Sequence, residues 1–124
     1  MKEEMEVVTL TGEFTQGARL NLSVNDEVRL PREVAGLGDE FYLVSGKGIA
    51  SLNIRVGDVV IIERRRTGRA RISEIVLVIL EKRAYLGRFW RKDGHRALVD
   101  HVFHPLVQSA RFRVQGVLAP IVRC

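Results

Sequence analysis

Residues 41–63, FYLVSGKGIASLNIRVGDVVIIE, place two apolar runs on either side of a glycine-broken loop, and no other stretch constrains the fold as tightly. Residues 41–44 form the first run, Ser45-Gly46-Lys47-Gly48 interrupts it, and Val56-Gly57-Asp58 turns the chain into the second run, 59–62. Runs this short, rich in β-branched residues and bounded by glycine, read as strands rather than helices. The same pattern recurs further along. Residues 75–80 are an unbroken β-branched run with the length of a strand buried on both faces. Residues 84–90, AYLGRFW, form another, and Lys92-Asp93-Gly94 supplies the Asp-Gly that favours a tight hairpin into 96–99.

The 124 residues suffice for one domain with a modest core. Residues 1–6 are expected to be a frayed terminus and 7–124 the single domain. Val8, Leu10 and Phe14 alternate around Gly12 like a bent strand, and Gly17 marks a further break. Two short alternating pieces follow, Leu20, Leu22 and Val24, then Val28 and Leu30, separated by an Asn25-Asp26 turn. Pro31 stands at or near the start of one helical turn that Gly36 or Gly38 closes. Pro120, which has no N–H for a ladder, belongs at an edge or a bulge.

Composition narrows the function classes. The longest apolar run falls far short of the roughly 20 residues that cross a bilayer as a helix, and the acidic start lacks the order of a signal peptide, so a cytoplasmic protein without a membrane partner is expected. The one cysteine, Cys124, excludes an internal disulfide and offers no zinc ligand set. His101 and His104 lie three apart without a further Cys or clustered carboxylate, so neither a metal site nor another cofactor is expected. The net charge of +5 hides a division: residues 1–62 carry six Lys/Arg against ten Asp/Glu, and residues 63–124 fourteen against five. Most of this positive charge is arginine, suited to bidentate phosphate or carboxylate contacts. Solvated strand faces and ion pairs with the acidic half account for such a pattern. The sharper alternative is nucleic-acid binding by Arg64, Arg65, Arg66, Arg69 and Arg71 on a projecting hairpin.

The order of these pieces resembles the self-cleaving serine peptidase domain of the LexA, UmuD and phage-repressor family. That family's active-site pattern reads S/D-G-x-S-M, then G-I, then G-D and an apolar strand; Ser45-Gly46, Ile54 and Gly57-Asp58 fall into its register. VTLTGEFTQGARL is similar to the cleavage-site segment, with Gly12 at the lead glycine and Gln16-Gly17 at the scissile Ala-Gly pair. Residues 112–122 are similar to the closing F-x-I-x-G pattern, so the resemblance runs from about Val7 to Arg123. It implies a mostly β fold of twisted antiparallel sheets, a β-clip, with one or two short helical turns. A second likeness, of VRLPREVAGLG to the AbrB and MazE swapped-hairpin DNA-binding proteins, leaves 41–124 unexplained.

The resemblance also places the family's nucleophilic serine at Gly48 and its catalytic lysine at Gly87. In such a dyad a desolvated, neutral lysine takes the serine proton, and glycine supplies neither group. Positive φ at Gly48, or a close backbone approach at Gly87, is the structural alternative. Ser45 and Ser51 lie three positions away from Gly48, Lys47 is adjacent to it, and Lys82 lies five from Gly87, so none takes over the missing role in register. The expectation is a pseudopeptidase without a small-molecule substrate, working in DNA-damage regulation or in a mobile element. It would form a homodimer through an exposed edge at 111–122, with Phe112, Val114, Gly116 and Val117 at the interface, and bind a transcription regulator, RecA or a polymerase.

Overall fold

The computed structural model describes residues 4–64, 70–99, 105–108 and 111–122. Arg65, Arg66, Arg69, His101, His104 and Cys124 lie outside the described residues. The fold is mostly β, as the strand-length apolar runs require. Its strands are β1 (Met5–Thr9), β2 (Gly12–Phe14), β3 (Glu27–Pro31), β4 (Glu40–Val44), β5 (Val59–Glu63), β6 (Ile75–Leu80), β7 (Arg83–Lys92), β8 (His95–Val99), β9 (Pro105–Gln108) and β10 (Arg113–Val122). A short helix, α1 (Arg32–Ala35), and a 3-10 turn (Ala50–Leu52) complete the described elements. Neither helix is long and apolar enough to cross a membrane.

Eight strands make one sheet in the order β2-β4-β5-β10-β6-β7-β8-β9; β1 and β3 make a separate antiparallel pair. Every ladder of the large sheet is antiparallel except β2 on β4. Pro31 ends β3 and caps α1, and the Gly36 N–H closes the helix on the Arg32 carbonyl. Met5 and Glu6, expected in a frayed end, instead pair with Pro31 and Leu30. An ion pair of 2.6 Å between Glu4 and Arg32 continues that tie. Residues 20–24 do not form the expected strand; only the Glu13–Asn21 bridge ties them to β2. The Asp93-Gly94 hairpin is present, with positive φ at both residues and Lys92 opposite His95.

The largest departure from expectation concerns β10. It lies inside the sheet, paired to β6 from Arg113 to Val117 and to β5 from Val117 to Val122. Phe112 and Val117 are buried, Val114 pairs with Val78, and a Cβ on Gly116 would stand 2.7 Å from the Glu63 carbonyl oxygen. Val114, Gly116 and Val117 are held in ladders and the Phe112 ring is buried, so this segment is not an exposed edge. The register slips between Leu118 and Ile121, which puts Pro120 at the expected irregularity.

One core cluster controls the placement of the site. Phe14 from β2, Tyr42 and Val44 from β4, Ile49, Leu52 and Ile54 from the glycine-containing loop, and Ala84 and Leu86 from β7 pack together. At about 25 cal/mol per Å² of apolar surface, side chains of this size stabilise their elements by a few kcal/mol each. The loop at 45–58, the segment at 14–18 and the first half of β7 are therefore bound into one body.

Candidate functional site

The 45–58 loop is held by its own backbone and by one buried carboxylate. Ile49 and Ile54 exchange two hydrogen bonds: the Ile49 N–H donates to the Ile54 carbonyl at 2.8 Å and the Ile54 N–H to the Ile49 carbonyl at 3.0 Å. Asn53, in the left-handed region, closes the 3-10 turn between them. Asp58, 3% exposed, accepts the Arg55 N–H at 2.8 Å, while Gly57 takes the positive φ that the turn needs. This is the physical content of the Gly-Asp pair in the sequence: a turn fixed by an inward carboxylate that feeds β5.

Gly48 sits against that bridge. A Cβ there would stand 2.5 Å from the Ile54 carbonyl oxygen and 3.1 Å from the Arg55 Cα. Positive φ is not the constraint at Gly48; it belongs to Gly46 and Gly57. Gly48 is glycine because another stretch of backbone passes where a side chain would begin.

Strand β7 contributes Ala84 and Leu86 to the same core cluster as Ile49 and Ile54. Its first half pairs with β6 on one side, Val76 opposite Gly87, while β8 reaches only as far as Val99 opposite Arg88. The free side of residues 84–86 is taken by the segment at 16–18. The Gly17 N–H donates to the Ala84 carbonyl at 2.9 Å, and the Ala84 N–H donates to the Ala18 carbonyl at 2.8 Å. Gln16 completes the ladder with its side chain. Its Nε2 donates to the Leu86 carbonyl at 3.0 Å and its Oε1 accepts the Leu86 N–H at 2.8 Å. A primary amide presents the same donor and acceptor pair as a peptide unit, so Gln16 does the work of one more strand residue. Upstream, the Thr15 hydroxyl lies 3.0 Å from both the Ser45 carbonyl and the Ser45 hydroxyl, and the Ser45 N–H donates to the Phe14 carbonyl.

The structure thus brings Gln16 and Gly17 onto the strand that carries Gly87, and packs the Gly48 loop against the same core. The Ser45 hydroxyl faces Thr15 rather than an amine. Lys47 and Lys82 are both solvent-exposed.

Of the five arginines singled out in the sequence, Arg64 and Arg71 are among the described residues. The Arg64 guanidinium lies 2.7 Å from a carboxylate oxygen of Glu40, which is only 7% exposed, and the Arg64 N–H donates to Asp39. Arg71 is exposed, with its N–H on Glu74. Glu40 is further held by the Tyr42 hydroxyl at 3.1 Å and the Gln115 amide at 3.3 Å. Burial first, then the charge of Glu40 and its hydrogen bond, push the Tyr42 hydroxyl well above the usual tyrosine range, against a smaller opposing pull from Arg64. This network joins β4, β10 and the end of β5. Only the apolar context of Glu40 hinted at it in the sequence.

No family model matches the chain. Among curated proteins it is 34% identical over 103 residues to the LexA repressor of Streptomyces coelicolor, covering 81% of this chain and 43% of that one. It is 31% identical over 95 residues to the LexA repressor of Desulforamulus reducens, 74% of this chain and 44% of the relative. With the LexA repressor of Bifidobacterium adolescentis it shares 27% identity over 121 residues, 94% of this chain and 46% of the relative. The chain spans less than half the length of the curated relatives it matches. With its β architecture and the Ser45-Gly46, Ile54 and Gly57-Asp58 loop in register, the chain belongs to the LexA/UmuD-like family.

Proposed function

We propose that this domain is a non-proteolytic LexA/UmuD-like module that acts by binding other macromolecules, in DNA-damage regulation or in the control of a mobile element. The observation that carries the reading is the seat of Gln16: the segment matching the family's cleavage site is bonded onto β7 beside Gly87. The two positions that match the family's dyad hold glycine. Nucleophilic attack needs a hydroxyl and a base within hydrogen-bond reach of each other. The Ile54 carbonyl at Gly48 adds a steric obstacle to any side chain at the serine position.

The test is intact-mass measurement after prolonged incubation at mildly alkaline pH and, separately, with an activated RecA filament. A single unchanged mass is expected under both conditions. Fragments ending at Gln16 would overturn the proposal. Homodimerisation is part of it, through a surface other than Phe112, Val114, Gly116 and Val117, which the sheet already occupies. Light scattering at tens of micromolar checks this, and a monomer would remove it. Direct nucleic-acid binding through the arginine group is the weaker reading, because Arg64 is committed to Glu40.

A further inference from the structure

A recess of about 400 Å³ opens between β4, β10, the end of β6 and the chain at 19–22. It is within the size range of small-molecule sites, about 300–1,000 Å³. Leu20, Leu22, Ile79 and the Tyr42 ring supply apolar wall. Four cationic residues line it, Arg19, Arg64, Lys82 and Arg113, against a single carboxylate, Glu40. Arg64 and Glu40 neutralise each other at 2.7 Å, and Tyr42 and Gln115 satisfy what remains of Glu40. Arg19, Lys82 and Arg113 are left, all exposed, and among the described residues none has an ion pair. The neighbouring depression shares Arg19 and Lys82 and adds Arg83 against Glu81.

A second observation singles out Lys82. Strands β6 and β7 are joined by the two-residue turn Glu81-Lys82, with Leu80 opposite Arg83. Both turn residues have positive φ, 51° and 68°. Positive φ at both central positions is the demand of a type I′ turn, met most easily by Asn-Gly or Asp-Gly. This chain uses Asp93-Gly94 at its next hairpin but not here. This costly backbone conformation places the Lys82 side chain at the recess.

From the unpaired cations, the apolar wall and the strained lysine together, we infer that this recess binds a small organic oxyanion: a phosphate or carboxylate carried on an apolar or aromatic body. Arg19, Lys82 and Arg113 hold the oxyanion, with charge-assisted hydrogen bonds, and Leu20, Leu22 and Ile79 take the body. Glu40 and Arg64 form a neutral floor. Neither Gly48 nor Gln16 lines the recess. No small ligand is expected from the sequence, because the cationic residues of the recess come from four segments.

The experiment is titration of the purified chain, at low ionic strength, with phenyl phosphate, benzoate, inorganic phosphate and a short single-stranded oligonucleotide, followed by amide chemical shifts and calorimetry. Saturable binding of phenyl phosphate or benzoate is expected, with shifts centred on Tyr42, Lys82 and Gln115 and weaker binding of inorganic phosphate; the stronger of the two aromatic probes identifies the oxyanion. Arg19→Gln, Lys82→Gln and Arg113→Gln should each weaken it about three- to tenfold. Arg91→Gln, at the far end of β7, should not. All four are exposed positions, and melting curves confirm that each variant is folded. Three results would overturn the inference: no saturable binding of either aromatic probe, equal loss from Arg91→Gln, or binding of the oligonucleotide alone.

Discussion

Placing a serine at Gly48 tests how closely the loop backbone surrounds that position. The Cβ of Gly48→Ser would stand 2.5 Å from the Ile54 carbonyl oxygen, whereas even a favourable carbon–oxygen contact needs about 3.3 Å. The backbone must therefore give by about 0.8 Å. The carbonyl that would have to move accepts the Ile49 N–H, and the bridge positions Ile49 and Ile54, 7% and 2% exposed, in the core. Overpacking of this kind costs about 1–3 kcal/mol, and loss of one bridge bond adds about 1 kcal/mol. The two together, about 3 kcal/mol, lower the melting temperature of a chain this size by roughly 12 °C. Gly48→Ala should cost as much as Gly48→Ser, since the obstacle meets Cβ rather than the hydroxyl, while Lys47→Ala, exposed and adjacent, should cost little. The assay is thermal melting with urea titration at neutral pH. If Gly48→Ser melted with the wild type, the steric account of Gly48 would be wrong and the glycine would record only a lost hydroxyl.

Three further outcomes follow from the packing. Because the Tyr42 pKa is raised in the folded state, its stabilising contribution is complete below the unfolded value of about 10 and is lost as pH climbs above it. Tyr42→Phe should flatten the alkaline fall in urea stability while costing about 1 kcal/mol at neutral pH; an identical fall in both proteins would refute the linkage. Replacing Glu81-Lys82 by Asn-Gly should raise stability by about 1 kcal/mol through relief of the two positive-φ residues, and at the same time weaken phenyl phosphate binding; unchanged or lower stability would deny the strain. Phe112→Ala should cost about 3 kcal/mol, since the ring is 2% exposed, meets Phe89 edge-on at 6.5 Å and lies under the Arg96 guanidinium at 4.3 Å. That loss should not depend on protein concentration; a concentration-dependent loss would return Phe112 to an interface.

What was legible in the sequence was local. Asp93-Gly94 announces its hairpin because both residues favour positive φ. Pro31 and Gly36 announce α1 for equally local reasons. Glu81-Lys82 makes the same kind of turn and announces nothing, since the demand there comes from the register of β6 on β7. The place of β10 was hidden in the same way: alternation in 112–117 shows a strand, but only β5 and β6, much earlier in the chain, decide that it is interior. At the site, spacing alone put Gln16, Gly48 and Gly87 in correspondence with the family's pattern. It could not reveal that the Gln16 amide reaches Leu86, a pair separated by 70 residues, nor that Arg64 in an arginine run is spent on a buried Glu40.

The features at Gln16 and Gly48 support one another physically, which on the proposed reading favours a settled design over an accumulation of damage. A small residue at position 16 would leave the Leu86 N–H and carbonyl without their present partners, at a cost of about 1 kcal/mol per lost bond. Glutamine supplies both bonds from one side chain and fixes the segment on β7. With the segment fixed there, Thr15 is held against Ser45, and Phe14 is driven into the same cluster as Ile49 and Ile54. That packing draws the 45–54 loop inward onto the position where a nucleophile would need room. On the proposed reading, self-cleavage would need a hydroxyl at Gly48 and an amine at Gly87, and also a looser Gln16 and an open Ile49–Ile54 bridge. The triple change Gln16→Ala, Gly48→Ser and Gly87→Lys should therefore lose stability beyond the sum of its parts if the seat and the bridge are coupled as the core packing indicates; strict additivity in urea titrations would show that the two features coexist without depending on each other.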